Sequence, residues 1–303
     1  MVTLSEYLRQ CAVEEGLQKI IFAFASAASE IADALQRVDA GFTGEKNVYG
    51  EEQLALDVLS DRIVQKALQS TGVVGLIASE ELPDQVQFGN GPYAVAYDPL
   101  DGSSLVDVNL SVGTIFGIYK SDHFIGLCGD DQIASGCIVY GPKTTLLLTV
   151  KAGVCECAYD RKNKNFFLSK ERLFIKETGK MFAPGNLRAT KFREDYVELM
   201  EYWMREQYTL RYSGGMVPDI NQIILKGKGI FTYPGYIEAP HGKLRLLVEC
   251  NPMALLVEQA QGKATDGVRR ILEKKITELT LRTPIYIGSK SEVENAENFL
   301  HSA

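Results

Sequence analysis

Asp98-Pro99-Leu100-Asp101-Gly102-Ser103-Ser104 sets two carboxylates beside a glycine and two serines at the end of an apolar run. All-oxygen acids of this kind suit a hard divalent cation. Gly102 allows a backbone conformation that turns the following N–H groups towards one anion. A helix starting just after would add its dipole. The chemistry implied is a metal and a phosphate sharing one site. Asp, Pro and Gly also build an ordinary Asx turn, and the segment alone supports either reading.

Three further acidic groups resolve that choice. Val73–Ala78 runs apolar and stops at Ser79-Glu80-Glu81, and two carboxylates at the end of a buried strand are costly unless a cation compensates them. Neighbours on an extended chain face opposite ways, so one acid can hold metal while the other works as a base. In Glu51–Asp61, which reads as a helix, Asp57 lies between Leu56 and Val58 and is the candidate for a buried carboxylate with a tuned pKa. Glu52 and Asp61 read as a solvated face. Last, Lys243-Leu244-Arg245-Leu246-Leu247-Val248 reads as a strand with two basic residues, ending in Glu249 before a helix that Asn251-Pro252 starts. With no histidine cluster, this donor set favours Mg²⁺ or Mn²⁺ over zinc.

The elements that must position these groups are legible in outline. Residues 4–38 read as one helix, with Leu17, Ile20, Ile21, Phe24, Ile31 and Leu35 on one face. Gly41–Gly50 reads as a mobile loop. Tyr93–Tyr97 is a buried strand that Pro99 ends, and Val112–Tyr119, Cys137–Tyr140 and Thr144–Val150 are apolar runs of a central sheet. Tyr196–Met204 reads as a helix with Met200, Trp203 and Met204 in the core, and Pro252–Gln261 as another. The mixture specifies a layered α/β or α+β sandwich without internal repeats.

Composition sets limits on function. A chain of 303 residues with 46% hydrophobic and 23% charged residues is an ordinary globular protein of one or two domains. Its net charge of −7, with no basic tract, argues against nucleic acid as a partner. No apolar stretch reaches membrane-spanning length and the N-terminus carries no secretory pattern. Cys11, Cys128, Cys137, Cys155, Cys157 and Cys250 lack zinc or C-x-x-C spacing and read as reduced, largely buried thiols. The expected location is the cytoplasm, or an organelle where a transit peptide has been removed.

Taken together, Ser79–Glu81, Asp98–Ser104, Ser111–Tyr119 and Lys243–Met253 resemble the class 1 fructose-1,6-bisphosphatase family, which includes the sedoheptulose-1,7-bisphosphatases. The resemblance covers nearly the whole chain after about Gly50. The related inositol monophosphatases share the acidic motifs but carry a late Trp-Asp metal ligand. Here the one tryptophan, Trp203, is followed by Met204, and Glu249 takes the late position. Phe182–Thr190, Tyr208–Tyr212 and Gly214–Asp219 look more like the sedoheptulose branch. Phe231–Pro234 and Glu249–Met253 look more like the fructose branch.

The resemblance implies an αβαβα sandwich divided into an N-terminal α+β domain, 1–173, and a C-terminal sugar-phosphate-binding domain, 174–303. It implies a sugar bisphosphate substrate and two or more Mg²⁺ or Mn²⁺ ions held by Glu51, Glu80, Asp98, the Leu100 carbonyl, Asp101 and Glu249. Glu51 stands where the family usually has aspartate. Asp57 and Glu81 would be the pair that deprotonates or orients the attacking water. Asp101, Gly102, Ser103 and Ser104 would hold the reacting phosphate, and Gly215 and Met216 would also touch substrate. Asn186, Tyr212, Tyr233 and Lys243 would grip the far phosphate, with Arg211 reaching across from a neighbouring subunit of a homodimer or homotetramer. Leu187-Arg188-Ala189 replaces a stretch where many relatives have another tyrosine, so Arg188 substitutes for it or the pocket is wider. Ala25–Glu30 replaces the Thr-Gly-Glu-Leu segment that serves AMP inhibition, so AMP control is not expected. The activity implied first is removal of the C1 phosphate of sedoheptulose 1,7-bisphosphate. The alternatives are fructose-1,6-bisphosphatase or dual activity, and then a silent sugar-phosphate sensor.

Overall fold

The computed structural model describes residues 1–37 and 55–301. Thr3 opens the chain's first helix, α1 (Leu4–Gln10), through a reciprocal capping box with Glu6. Ala12 then takes φ 52°, so the single helix expected over 4–38 is broken before α2 (Glu15–Arg37) begins. Leu17, Ile20, Ile21, Phe24 and Ile31 are buried on α2, as its 3.6-residue spacing predicts, while Leu35 is half-buried. The helix α3 (Ala55–Ser70) carries Asp57 in its first turn. The expected loop at Gly41–Gly50, with Glu51 and Glu52, lies outside the described residues.

Strands β1 (Val74–Ser79), β2 (Val86–Gln87), β3 (Tyr93–Asp101), β4 (Val112–Tyr119), β5 (Gln132–Tyr140), β6 (Thr144–Thr149), β7 (Val154–Asp160) and β8 (Asn165–Leu173) form one sheet. Its order is β2-β1-β3-β4-β5-β6-β7-β8. Only the β1/β3 pair is parallel, so the C-terminal ends of these two strands emerge side by side. Then follow β9 (Met181–Pro184), α4 (Glu194–Arg205), β10 (Thr209–Leu210), α5 (Met216–Lys226), β11 (Ile230–Tyr233), α6 (Asn251–Gln259), β12 (Lys263–Thr265), β13 (Ile285–Gly288) and α7 (Lys290–His301). The second sheet runs β10-β9-β11-β13-β12.

Five layers result. Helices α1, α2 and α3 cover one face of the large sheet, α5 and α6 fill the space between the sheets, and α4 with α7 close the far face of the small one. This is the α/β sandwich of αβαβα order that the motifs implied. Helices on both faces explain why β3 and β4 are buried at every residue instead of alternating. Three cores follow the layers. Phe24 stacks on Phe116 at 4.0 Å under the N-terminal helices. Ile115, Leu147, Ile223, Met253 and Phe231 meet between the sheets. Phe182 packs on Trp203 at 5.0 Å in the outer core. Met204, expected there, is instead exposed and Met200 half-buried, because the apolar stripe of α4 turns past them.

Burial of Phe24 on both α2 and the sheet makes it a test of the first interface. Phe24→Ala should cost about 3–5 kcal/mol in denaturant unfolding through lost contacts and an unfilled cavity.

Candidate active site

The strand that carries the acidic motif does not stop at Pro99, as expected, but runs to Asp101 through a bulge in its pairing with β4. Proline fits there because a bulge leaves the missing N–H without a ladder partner to lose. Thr114 Oγ1 donates to the Pro99 carbonyl at 2.9 Å and so fixes the bulge. Within it the Leu100 N–H donates to Asp98 Oδ1 at 2.9 Å. The Asx turn and the carboxylate site are therefore one structure. Gly102 takes φ 80° and opens a single 3₁₀ turn, Ser103–Leu105, in place of the helix expected there. So short a turn has no macrodipole, and any anion binding rests on the first N–H groups of the turn.

Asp98, Asp101 and Glu249 are all buried, and one carboxylate oxygen from each lies within 4.8 Å of the others. Glu249 comes not from the end of a strand but from a π-helical turn, Leu246–Cys250, that runs into α6. Its Oε2 accepts from the Arg245 N–H at 2.5 Å while the Cys250 N–H reaches the Arg245 carbonyl at 3.0 Å. Asp101 Oδ2 accepts from the Val217 N–H at 2.8 Å, in the first turn of α5, where the helix dipole favours negative charge. Glu80 lies 3.6 Å from Arg245 Nε, at ion-pair distance.

Burial is the largest cause pushing the Asp98 and Glu249 carboxyls well above the usual range, with Glu80 next in both. Burial likewise raises Asp101, and the Val217 N–H opposes it. Buried oxygens that repel one another so closely fit a divalent cation, and no softer donor is among them. Leu100 is buried beside them on the wall of the same cleft.

Asp57, Glu80, Glu81, Asp98, Leu100, Asp101, Gly102, Ser103, Ser104 and Glu249 all line one cleft of about 960 Å³. Glu80 and Glu81 share it, contrary to the expectation of opposite faces, because β1 ends at Ser79 and the chain turns there. Burial, then Glu81, raises the Asp57 carboxyl to about 7, and Ser103 opposes the shift. Asp57 Oδ1 is buried with no hydrogen-bond partner.

Tyr212, Gly215, Met216, Tyr233 and Lys243 also line the cleft, with Gly215 beside Gly102. Tyr212 is 45% exposed, which separates it from the tyrosines that serve as core. Asn186 lies instead in a neighbouring cavity, where its Nδ2 donates to the Pro234 carbonyl at 2.8 Å. Arg211 is exposed and lines neither cavity of its own chain.

Two acids that position the site escaped the sequence reading. Asp61 is buried, not solvated: its Oδ1 accepts from Ser79 Oγ at 2.7 Å and Tyr97 Oη at 2.8 Å. It thereby locks α3 to the ends of β1 and β3, and Ser79 Oγ in turn accepts from the Glu81 N–H at 3.3 Å. The signal was its i, i+4 spacing from Asp57, which puts both on one helix face. Asp219 is also buried and accepts from the Ser213 N–H at 3.0 Å, holding the turn before α5. Burial raises its carboxyl to about 6. Arg282, which also lines the cleft, belongs to no motif and could be found only in three dimensions.

Two outcomes follow. Asp61→Ala should lower stability by about 2–5 kcal/mol and reduce turnover, since two buried hydroxyls lose their acceptor. Asp61→Asn should keep most of both, measured by thermal melting and steady-state rates. The acidic cluster also sets a pH dependence. A carboxyl raised in the folded state holds its proton longer than in the unfolded chain, so its contribution to stability is lost as pH rises through the folded value. With Asp57 raised from 3.8 to about 7, its contribution should lower the melting temperature in EDTA as pH rises from about 4 to about 7 and level off above. Mg²⁺ should raise it more at the higher pH.

The comparisons with known proteins agree with this geometry. The family pattern described as fructose-1-6-bisphosphatase, N-terminal domain, matches residues 3–171, and the C-terminal domain pattern matches 175–301. A class 1 fructose-1,6-bisphosphatase of Geobacter metallireducens is 47% identical over 302 residues, covering 99% of this chain and 95% of the relative. A chloroplastic sedoheptulose-1,7-bisphosphatase of Triticum aestivum is 40% identical over 313 residues, covering 99% and 77%. The holo crystal structure of Leishmania major fructose-1,6-bisphosphatase superposes with a TM-score of 0.94 at 32% identity, covering 99% of each chain. No helix among the described residues is long and apolar enough to cross a membrane. The chain belongs to the class 1 fructose-1,6-bisphosphatase family and is a sugar bisphosphatase.

Proposed function

We propose that the protein hydrolyses the C1 phosphate ester of fructose 1,6-bisphosphate in a Mg²⁺-dependent reaction. The observation that carries this reading is the convergence of Asp98, Asp101 and Glu249 in one cleft with Asp57 and Glu81. Sequence motifs ranked the seven-carbon sugar first, but the higher identity to relatives named for the six-carbon substrate reverses that order. One feature favours sedoheptulose 1,7-bisphosphate as a second substrate: space continues past Lys243 into a neighbouring cavity.

In this reading Glu80, Asp98, Asp101 and Glu249, with the Leu100 carbonyl, hold the ions, and Glu51 is a further ligand from outside the described residues. Bound there, divalent cations neutralise phosphoryl and alkoxide charge and acidify water. Asp57 accepts the proton of the attacking water, since its carboxyl near 7 is matched to neutral operation and its Oδ1 has no protein partner. Burial first, and then the like charge of Glu81, keep that carboxyl raised. Gly102, Ser103 and Ser104 cradle the reacting phosphate. Tyr212, Tyr233 and Lys243 grip the remote phosphate and so orient the bond that breaks. The division at residues 173 and 174 assigns most acids to the N-terminal unit and the remote-phosphate grip to the C-terminal one. A homodimer or homotetramer would let Arg211 serve a neighbouring subunit's cleft.

Phosphate release from both bisphosphates, measured side by side in Mg²⁺, tests the proposal. Activity should vanish in EDTA and return with Mg²⁺, with kcat/KM higher for the six-carbon substrate. Asp98→Ala should reduce turnover by about 100-fold or more. Full turnover in that variant would overturn the metal assignment, and sugar bisphosphate binding without phosphate release by the wild type would leave the sensor reading standing.

A further inference from the structure

Glu249 is the member of the buried acidic cluster that comes from outside the large sheet. Asp98 and Asp101 ride on β3, whose register is locked to β4 by the pairs Asp98 with Ile115 and Asp101 with Gly113. Glu249 arrives instead on the π turn that runs into α6. Its carboxylate therefore lies within 4.8 Å of the other two only while the head of α6 keeps a fixed place over the sheet. Apolar packing is non-directional and fixes such a place loosely. A hydrogen bond, with its narrow range of length and angle, fixes it closely.

Gln132 supplies that bond. It opens β5 and is wholly buried. Its Nε2 donates to the Asn251 carbonyl at 3.0 Å, in the first turn of α6, and to the Gly129 carbonyl at 2.9 Å, in the 3₁₀ turn Gly129–Asp131 that leads into β5. Both amide protons are thereby used. The side chain owes its direction to a bulge: Ile118 pairs with Ala134 and Tyr119 with Gln132, so Ile133 is left over. Ile133 packs under the N-terminal helices, and Gln132 faces α6.

The neighbouring strand makes room for it. A Cβ at Gly117 on β4 would stand 2.3 Å from Gln132 Oε1 and 3.1 Å from Pro252 Cγ, so the amide occupies a slot that glycine leaves open between strand and helix. Within that slot Oε1 is buried without a donor. A buried orphan acceptor is a cost, and apolar packing would be served as well by a side chain without one. What Gln132 adds is its pair of donated bonds.

We infer that Gln132 is a positioning residue for Glu249. By holding the Asn251 carbonyl, two residues beyond Glu249, it sets how closely that carboxylate approaches Asp98 and Asp101, and so how tightly the cluster binds a divalent cation. The inference deepens the reading of the cluster as a metal site and rests on it.

Mn²⁺ binding to the substrate-free protein, followed by electron paramagnetic resonance, tests it in wild type, Gln132→Met, Gly117→Ala and Leu8→Ala. Gln132→Met keeps the length and removes the donors. Gly117→Ala leaves Gln132 in the chain but displaces its amide from the slot. Leu8→Ala empties buried volume in α1, which packs on β8 at the far edge of the sheet. The first two should weaken Mn²⁺ binding by about tenfold, at the lower end for groups that orient metal ligands. Leu8→Ala should weaken it less than about twofold although its melting temperature falls as well. In phosphate release, the Mg²⁺ concentration for half-maximal rate should rise by the same factor in the first two, while the sugar bisphosphate KM at saturating Mg²⁺ stays within about twofold. Where Gln132→Met does not fold, Gly117→Ala decides. Unchanged Mn²⁺ affinity in either folded variant, or an equal loss in Leu8→Ala, would overturn the inference alone. A wild type that binds no Mn²⁺ would overturn the metal reading as well.

Discussion

Repulsion between buried carboxylates is the constraint around which this molecule is organised. Asp98, Asp101 and Glu249 sit within a few ångströms of one another out of water, and Glu80 adds its charge to each. Such a group is unfavourable unless every lone pair finds a donor and the net charge finds a cation. The donors come from separate elements: the Leu100 N–H in the bulge, the Val217 N–H at the start of α5, and the Arg245 N–H at the π turn. The first and third lie within four residues of the acid they serve, while Val217 is brought to Asp101 from a distant part of the chain. The fold is therefore required for the cluster to exist, and the cluster in turn makes the unloaded fold sensitive to pH.

Topology meets this requirement with one parallel pair. Because β1 and β3 run the same way, their C-terminal ends deliver Glu80, Glu81, Asp98 and Asp101 to a single edge. Asp61 then ties both ends to α3, and α3 brings Asp57. On the other side of the cleft the small sheet and its loops contribute a wall of opposite sign, from Lys243 and Arg282. Lys243 and Arg282 come from the C-terminal half of the chain, which also supplies Glu249 to the acidic cluster.

How much of this was legible in the chain depends on where each residue's partners lie. Asp98 to Ser104 could be read because acid, proline and glycine at a strand end have few structural uses in common. Asp61 was misread because polarity is visible in a sequence and burial is not; its hydroxyl donors, Ser79 and Tyr97, lie on strands distant in the chain from its helix. The long first helix was overextended because Ala12 has no breaker chemistry; its positive φ belongs to the end of α1, where the Val13 N–H reaches the Leu8 carbonyl at 3.1 Å. Tyr212 and Tyr233 were found by resemblance alone, since a tyrosine in a cleft and one in a core look the same in sequence. Arg282 carries no motif and is set beside Lys243 by the isolated bridge that pairs it with Arg245.

The π turn at Leu246–Cys250 has a consequence for how this chain tolerates change. It holds one residue more than an α-helical turn, and that extra residue sets the azimuth of Glu249 relative to α6. Deleting one of Leu246, Leu247 or Val248 would restore ordinary helical pitch and swing the Glu249 carboxylate by about 100° around the axis. The hydrophobic neighbours would still find apolar surroundings, so such a chain would fold while its acidic cluster fell apart. Spacing here is a more fragile kind of information than side-chain identity. In redesign or natural drift, insertions and deletions in this short segment are the changes that separate a folded protein from a working one.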